Sequence, residues 1–133
     1  MIGEGSKANS SSWILEEWKA PKTQRPWGYY RVLHQVEGCK VKELTVDPRC
    51  SLSMQRHGER AEHWMVSEGV ATVEYARSPS WKTTITKTLN KHDTLDIDKH
   101  CWHQLRNETD VPLKIIEIQY GTSCKEEDIE RRD

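Results

Sequence analysis

Apolar and polar positions alternate with a period of two through most of this chain, and the alternating runs are short. The clearest is Leu113 to Tyr120, where Leu113, Ile115, Glu117 and Gln119 share one face and Lys114, Ile116 and Ile118 the other. Successive side chains of a strand point to opposite faces, so this run predicts a strand. Similar runs predict strands over Tyr29–His34, Cys39–Val46, Ser51–His57, Glu62–Ser67, Val70–Tyr75, Trp81–Leu89, Thr94–Ile97 and Trp102–Arg106. Turn-forming residues separate them: Asp47-Pro48, Arg77-Ser78-Pro79-Ser80, Asn90 to Asp93, Asp98-Lys99-His100 and Asn107 to Pro112. In Cys39–Val46 the pattern is ambiguous. Val41, Glu43 and Thr45 lie on one face, and Lys40, Lys42, Leu44 and Val46 on the other, so neither is cleanly apolar. Many short strands at this spacing predict an all-β sandwich or barrel.

The ends read differently. Residues 1–12 are small and polar, with no expected regular structure. Trp13 to Trp18 is apolar and acidic, suiting a short helix or edge strand against the barrel, or a dimer contact. Pro21 and Pro26 interrupt any helix here. The expected division is an arm over 1–23 and one domain over 24–133, with a charged tail from Lys125 that could form a helical turn. No internal repeat and no second domain is visible.

At 133 residues the chain is long enough to bury about two thirds of its unfolded surface. Twenty basic and 21 acidic residues give a formal net charge of −1, which leaves no global footprint for nucleic acid. No apolar run approaches the roughly 20 residues of a spanning helix. No apolar segment of signal-peptide length opens the chain, so the expectation is no membrane partner and a cytoplasmic protein. Cys39, Cys50, Cys101 and Cys124 form no Cys-x-x-Cys pair. Free thiols in a reducing compartment are the expectation. Cys101, two before His103, could approach a metal, although a small apolar filler is the usual role of such a residue.

The chemistry concentrates between Gln55 and Gly69. Gln55 and His57 are two apart, so on a strand they share a face with Cα atoms roughly 6.6 Å apart. A loop over Gly58 to Ala61 then reverses the chain, and Glu62 opens the next strand as one carboxylate on the otherwise apolar face of Trp64 and Val66. This reads as a hairpin carrying a buried metal site, closed at Gly69. His103 is the best fourth ligand. Two imidazoles, an amide oxygen and a carboxylate suit a borderline divalent ion, zinc first, with iron, manganese, cobalt or nickel also acceptable. Fewer than six protein ligands leave room for substrate. His63 alternates away from Glu62, and His34, His92 and His100 lack ligand spacing.

Gln55-x-His57, Glu62, Gly69 and His103-x-x-x-Asn107 reproduce the spacing of the two cupin motifs, with Gln55 in place of the usual first histidine. Further stretches run in order: Arg-Pro-Trp-Gly at 25–28, Lys-Val-Lys-Glu-Leu-Thr-Val at 40–46, Leu-Ser-Met-Gln-x-His at 52–57, Arg-Ala-Glu-His-Trp at 60–64 and Pro-Leu-Lys-Ile-Ile-Glu-Ile-Gln at 112–119. Over about 24–131 the chain resembles the type II mannose-6-phosphate isomerase domain, often the C-terminal part of bifunctional mannose-1-phosphate guanylyltransferases. The resemblance implies a single-domain cupin, a jelly-roll barrel, acting as a metal-dependent isomerase of mannose 6-phosphate and fructose 6-phosphate. It also implies a homodimer, and it places Arg60 among the residues needed for activity. The type I phosphomannose isomerases use a similar Gln-x-His pair with a Glu and a distant His. The chain is too short for the nucleotidyltransferase half and shows no glycine-rich nucleotide loop.

Aldose–ketose isomerisation moves a proton between C1 and C2 while the oxygens become negative. It therefore needs a Lewis acid, cationic donors and a base. Arg60 in the hairpin loop would face the cavity mouth, and its loss would be expected to leave fold and metal intact. Lys42 could pair with phosphate, and Glu117 could act as base if its face is the inner one. Each is equally well explained as a strand residue in a salt bridge. Gly58 and Glu59 stand where the family commonly has histidines, and Glu59 adds negative charge near a phosphate site. His92, Asp98 and His100 replace the usual Gly, Pro and Gly; His100 can still adopt the φ > 0 that such a turn needs. The alternatives are a metal cupin for another sugar phosphate, an oxygenase, or a sugar-binding cupin without turnover.

Overall fold

A computed structural model of the chain describes residues 20–132. Eleven strands form: β1 Lys22–Arg25, β2 Gly28–Val36, β3 Cys39–Val46, β4 Met54–Arg56, β5 Arg60–Glu68, β6 Ala71–Tyr75, β7 Ile85–Leu89, β8 Thr94–Ile97, β9 His103–Arg106, β10 Leu113–Gly121 and β11 Glu130–Arg132. There is no helix among the described residues. A six-stranded antiparallel sheet runs β1-β2-β3-β10-β5-β8, and a five-stranded one runs β11-β4-β9-β6-β7. The expected all-β architecture is therefore what these residues build. The arm residues before 20, including Trp13–Trp18, lie outside the described residues. Residues 22 and 23, assigned to that arm by the sequence, belong to β1.

Register shows how one strand face serves two purposes. Across β3, β10 and β5, Leu44 stands beside Ile115 and Ile115 beside Val66. One step further along the same face come Lys42, Glu117 and Trp64, and then Lys40, Gln119 and Glu62. All nine residues are buried. One end of the barrel interior is thus aliphatic, with Val73, Leu89, Leu105 and Leu113 completing the core. The other end is polar and ionisable. This resolves the ambiguity in β3: its lysine-bearing face is the inner one.

Four expectations change. Ser51–His57 and Glu62–Ser67 do not form a hairpin. β4 pairs with β9 and β11, while β5 pairs with β10 and β8, so the Gly58–Glu59 segment carries the chain from one sheet to the other. A short loop can cross between sheets as readily as it can turn within one; only the long-range partners decide. β5 also begins at Arg60 rather than Glu62. The C-terminal residues form β11 on β4 rather than a helical turn, because β4 offers a free edge. The predicted strand over Trp81–Leu89 shortens to β7.

Gly28, in the Arg-Pro-Trp-Gly stretch, has φ 146° where β2 leaves its turn with β1. A Cβ there would lie 2.0 Å from the Thr45 carbonyl oxygen. Gly28→Ala is therefore expected to lower stability by at least about 1–3 kcal/mol, the usual cost of a strained backbone position. Thermal unfolding of the variant checks this; an unchanged Tm would contradict the close approach. His92 and His100 take φ of 75° and 65°, so the turns survive the exchange of glycine for histidine.

Candidate active site

His57 sits one residue past β4, His103 opens β9, and Glu62 is the third residue of β5. The two sheets bring them together with one ligand atom from each within 4.8 Å of the others. Glu62 is central. Its Oε2 lies 3.3 Å from His57 Nε2 and its Oε1 lies 3.7 Å from His103 Nε2. His57 Nδ1 is 2.6 Å from the Asp128 carbonyl oxygen, and His103 Nδ1 is 2.9 Å from that of Cys101. A carbonyl oxygen only accepts, so each Nδ1 carries the proton and each Nε2 turns a lone pair to the carboxylate. Backbone partners of this kind set the tautomer of metal-ligating histidines.

The protonation states agree. Burial pushes His57 down to about 4 against a smaller opposing pull from Glu62, and burial likewise lowers His103. Burial alone would raise Glu62, but the charge that His103 and His57 take up once protonated in acid, together with the Arg60 guanidinium, outweighs it and holds the carboxyl well below its usual range. Two neutral imidazole nitrogens and an ionised carboxylate converging within 4.8 Å are a donor set of the kind that holds a divalent cation. The residues therefore fit a divalent ion. Gln55 is the register partner of His103 and lines the same inner pocket as Glu62, Trp64 and His103. Its Nε2 approaches the Ser53 carbonyl oxygen at 3.4 Å. Cys101 is buried and serves through its backbone; its thiol, raised by burial, is not among the convergent ligand atoms. All four cysteines are free.

Because His57 resists protonation down to about 4, metal should be retained as pH falls through 6.5, where an ordinary histidine would protonate. Protonation of His57 competes with the metal only from about pH 4 downward. Dialysis of metal-loaded protein at stepped pH, followed by metal analysis, measures the midpoint; release centred near 6.5 would contradict the buried tautomer.

Arg60 is buried, not a loop residue at the rim. Its Nε donates to Glu62 Oε2 at 2.9 Å, one Nη to His57 Nε2 at 3.2 Å and the other to the Lys125 carbonyl oxygen at 3.2 Å. Lys42 Nζ lies 2.6 Å from Glu126 Oε2 and 4.0 Å from the Tyr30 ring centre. Glu117 accepts from Gln119 Nε2 at 2.7 Å. Burial first, and then the Glu62 charge, push the Glu117 carboxyl up to about 8 against the pull of Lys42 and Arg60. Lys42, Arg60, Glu117 and Gln55 line one cavity of about 110 Å³ with Trp27, Tyr30, Leu44 and Leu52. The sequence-predicted site residues thus occupy one connected region. Glu59 is exposed and outside the cavity wall. His63 is held at the surface by Asp96, at 2.7 Å, and His34, His92 and His100 are exposed.

Sequence reading missed the C-terminal segment. The Asp128 carboxylate accepts from the Gly58 and Glu59 amides at 2.9 and 2.8 Å, holding the inter-sheet crossing beside His57. Glu126 bridges Lys40 and Lys42, and Ile129 and Arg131 close the cavity wall. The only signal in the sequence was a run of charge, which usually marks a solvated tail.

The family model described as mannose-6-phosphate isomerase C-terminal matches residues 16–133. A mannose-1-phosphate guanylyltransferase from Salmonella muenchen is 35% identical over 125 residues, 94% of this chain and 24% of that protein. The alginate biosynthesis protein AlgA of Pseudomonas putida is 39% identical over 107 residues, 80% of this chain and 21% of that protein. The chain thus spans about a quarter or less of the length of these relatives. Among solved structures, the oxalate decarboxylase of Lactobacillus farciminis superposes with a TM-score of 0.73 at 15% identity, covering 86% of this chain and 34% of that one. The capsular polysaccharide assembling protein CapF of Staphylococcus aureus gives 0.71 at 13% identity, covering 86% and 34%. These structural likenesses show the cupin fold.

Proposed function

The chain belongs to the mannose-6-phosphate isomerase C-terminal family, matched over residues 16–133, and on that premise we propose that it interconverts mannose 6-phosphate and fructose 6-phosphate. The observation that carries this reading is the placement of Glu117, a carboxyl raised to about 8, in the wall of the cavity that also holds Gln55 and Arg60. A general acid–base works best with a pKa near the operating pH. Gln55, His57, Glu62 and His103 would hold one divalent ion, zinc being our first choice. When bound, the ion supplies Lewis-acid polarisation of the substrate carbonyl.

The chain's own residues do the remainder. Glu117 takes the proton from one of the C1 and C2 carbons and returns it to the other. Arg60, a permanent cation held by Glu62, donates to oxygen as charge develops there. Lys42, the register partner of Glu117, places positive charge beside that carboxyl, and the β3–β10 pairing keeps it there. A cytoplasmic homodimer completes the proposal, since sugar phosphates are intracellular metabolites and closed dimers are the commonest assembly. No helix among the described residues is long and apolar enough to cross a membrane.

A coupled assay with mannose 6-phosphate and metal-loaded protein tests the reading. Fructose 6-phosphate is expected from the wild type and not from His103→Ala, which should also lose its metal. No product with any of several divalent metals would overturn it. One contact favours a second reading, a sugar-phosphate-binding cupin without turnover: the Arg60 Nη engages His57 Nε2, the lone pair that a metal would need. Metal analysis separates the two, because the second reading expects no stoichiometric ion.

A further inference from the structure

The cavity opens where the two sheets end. β1 is the edge of the six-stranded sheet and β11 the edge of the five-stranded one. Arg25 on β1 and Arg131 on β11 both line the cavity. Register relates this opening to the metal-ligand cluster. Arg131 is the partner of Gln55, and Gln55 is the partner of His103. Partners across an antiparallel pair share a face. His103, Gln55 and Arg131 therefore form a row that starts at the ligand cluster and ends at the mouth. Two strand spacings separate its ends, about 9.5 Å, the scale of an extended six-carbon sugar phosphate.

Charge along the wall is uneven. Lys42 is neutralised by Glu126 at 2.6 Å and Arg60 by Glu62 at 2.9 Å. Arg25 and Arg131 have no carboxylate partner among the described residues. Arg25 donates one Nη to the Gln24 carbonyl oxygen at 3.0 Å, and its guanidinium lies 5.4 Å from the Tyr30 ring centre. Both residues are exposed. Trp27, half-buried, lines the same cavity, and Tyr30 beside it is buried with the Lys42 ammonium 4.0 Å from its ring centre. Two arginines without a carboxylate partner at one end of this row, and the ligand cluster at the other, match a molecule with an anion at one end and a reacting carbonyl at the other. Arginine offers two parallel donors to phosphate oxygens, which lysine cannot.

We infer that Arg25 and Arg131 together hold the substrate's phosphate at the mouth of the cavity and make the protein selective for phosphorylated over free sugar. This rests on the sugar-phosphate reading above. The test uses the full metal-loaded chain with Arg25→Gln, Arg131→Gln and the double variant, and Lys87→Gln on the distant, exposed part of β7 as a charge control. Calorimetry measures binding of mannose 6-phosphate, inorganic phosphate and free mannose; the coupled assay gives KM and kcat. The double variant should raise the Kd and KM for mannose 6-phosphate by about 10- to 100-fold, the scale for losing charge-assisted hydrogen bonds. It should change kcat less, and leave binding of free mannose as it was. Lys87→Gln should match the wild type. Added salt should weaken wild-type phosphate binding more than that of the double variant.

Wild-type Kd and KM retained within twofold in the double variant would overturn the clamp while leaving the isomerase reading intact. Binding lost in the double variant, with no turnover by the wild type, would support the clamp and overturn the isomerase reading. A wild type that binds neither mannose 6-phosphate nor phosphate would overturn both.

Discussion

Glu117→Gln is expected to lower kcat for isomerisation by about 10²–10⁴, the usual contribution of a positioned acid–base group. Glutamine keeps the side-chain shape and can still meet Gln119, so barrel and metal content should be unchanged. The wild-type kcat/KM should rise with pH along an acidic limb whose midpoint lies above the ordinary 4.5 and at most near 8. A bound cation offsets the Glu62 charge, one of the two causes of the elevation, so the midpoint should move downward as metal affinity increases. That limb should vanish in the residual activity of the glutamine variant. Stability offers an independent check. A carboxyl raised in the folded state binds its proton more tightly there than in the unfolded chain. Its contribution is complete below pH 4.5 and is lost as pH rises through about 8. Relative to Glu117→Gln, the metal-free wild type should therefore become less stable across that window in denaturant titrations. A variant with near wild-type kcat would remove Glu117 from the reaction, whatever its pKa.

Arg60→Ala should lower kcat by about 10²–10³, as expected for losing one preorganised donor to a developing negative charge. Burial adds a second effect that a rim position would not have. The variant leaves Glu62 buried without its hydrogen-bonded cation, and removing one partner of such a pair typically costs about 3–5 kcal/mol. The metal-free variant should therefore melt well below the wild type. Added metal gives Glu62 another cation, so it should raise the Tm of Arg60→Ala by more than it raises that of the wild type. Arg60→Lys should recover only part of both effects. A lysine amine cannot reach Glu62, His57 and the Lys125 carbonyl oxygen with one planar fork. An alanine variant with wild-type turnover and wild-type Tm would contradict both roles.

Local pattern and the family resemblance together picked out most of the residues that the fold gathers in the barrel interior. The residues of β10 read as a strand because hydrophobicity alternates within eight positions, and that alternation placed Glu117 on the face of Leu113 and Ile115. The convergence of His57, Glu62 and His103, with Gln55 beside His103, could be expected because residue type and spacing survive in a linear string. Asn107 belongs here too: its Nδ2 donates to the carbonyl oxygens of Val46, Asp47 and Val111, holding the turn that returns the chain to β10. Tertiary structure decided the rest. Which face of β3 turns inward depends on a counter-charge, since two buried lysines are tolerable only beside Glu126, 86 positions from Lys40. The supposed β4–β5 hairpin is a crossing between sheets because β4 finds β9 and β11, and β5 finds β8 and β10. The charged tail became a cavity wall because Asp128 can cap the Gly58 and Glu59 amides, and β11 can pair with the edge of β4. A strand's own residues encode which of its side chains share a face. Its neighbours, and the charges that make a buried lysine or arginine affordable, come from segments far away in sequence.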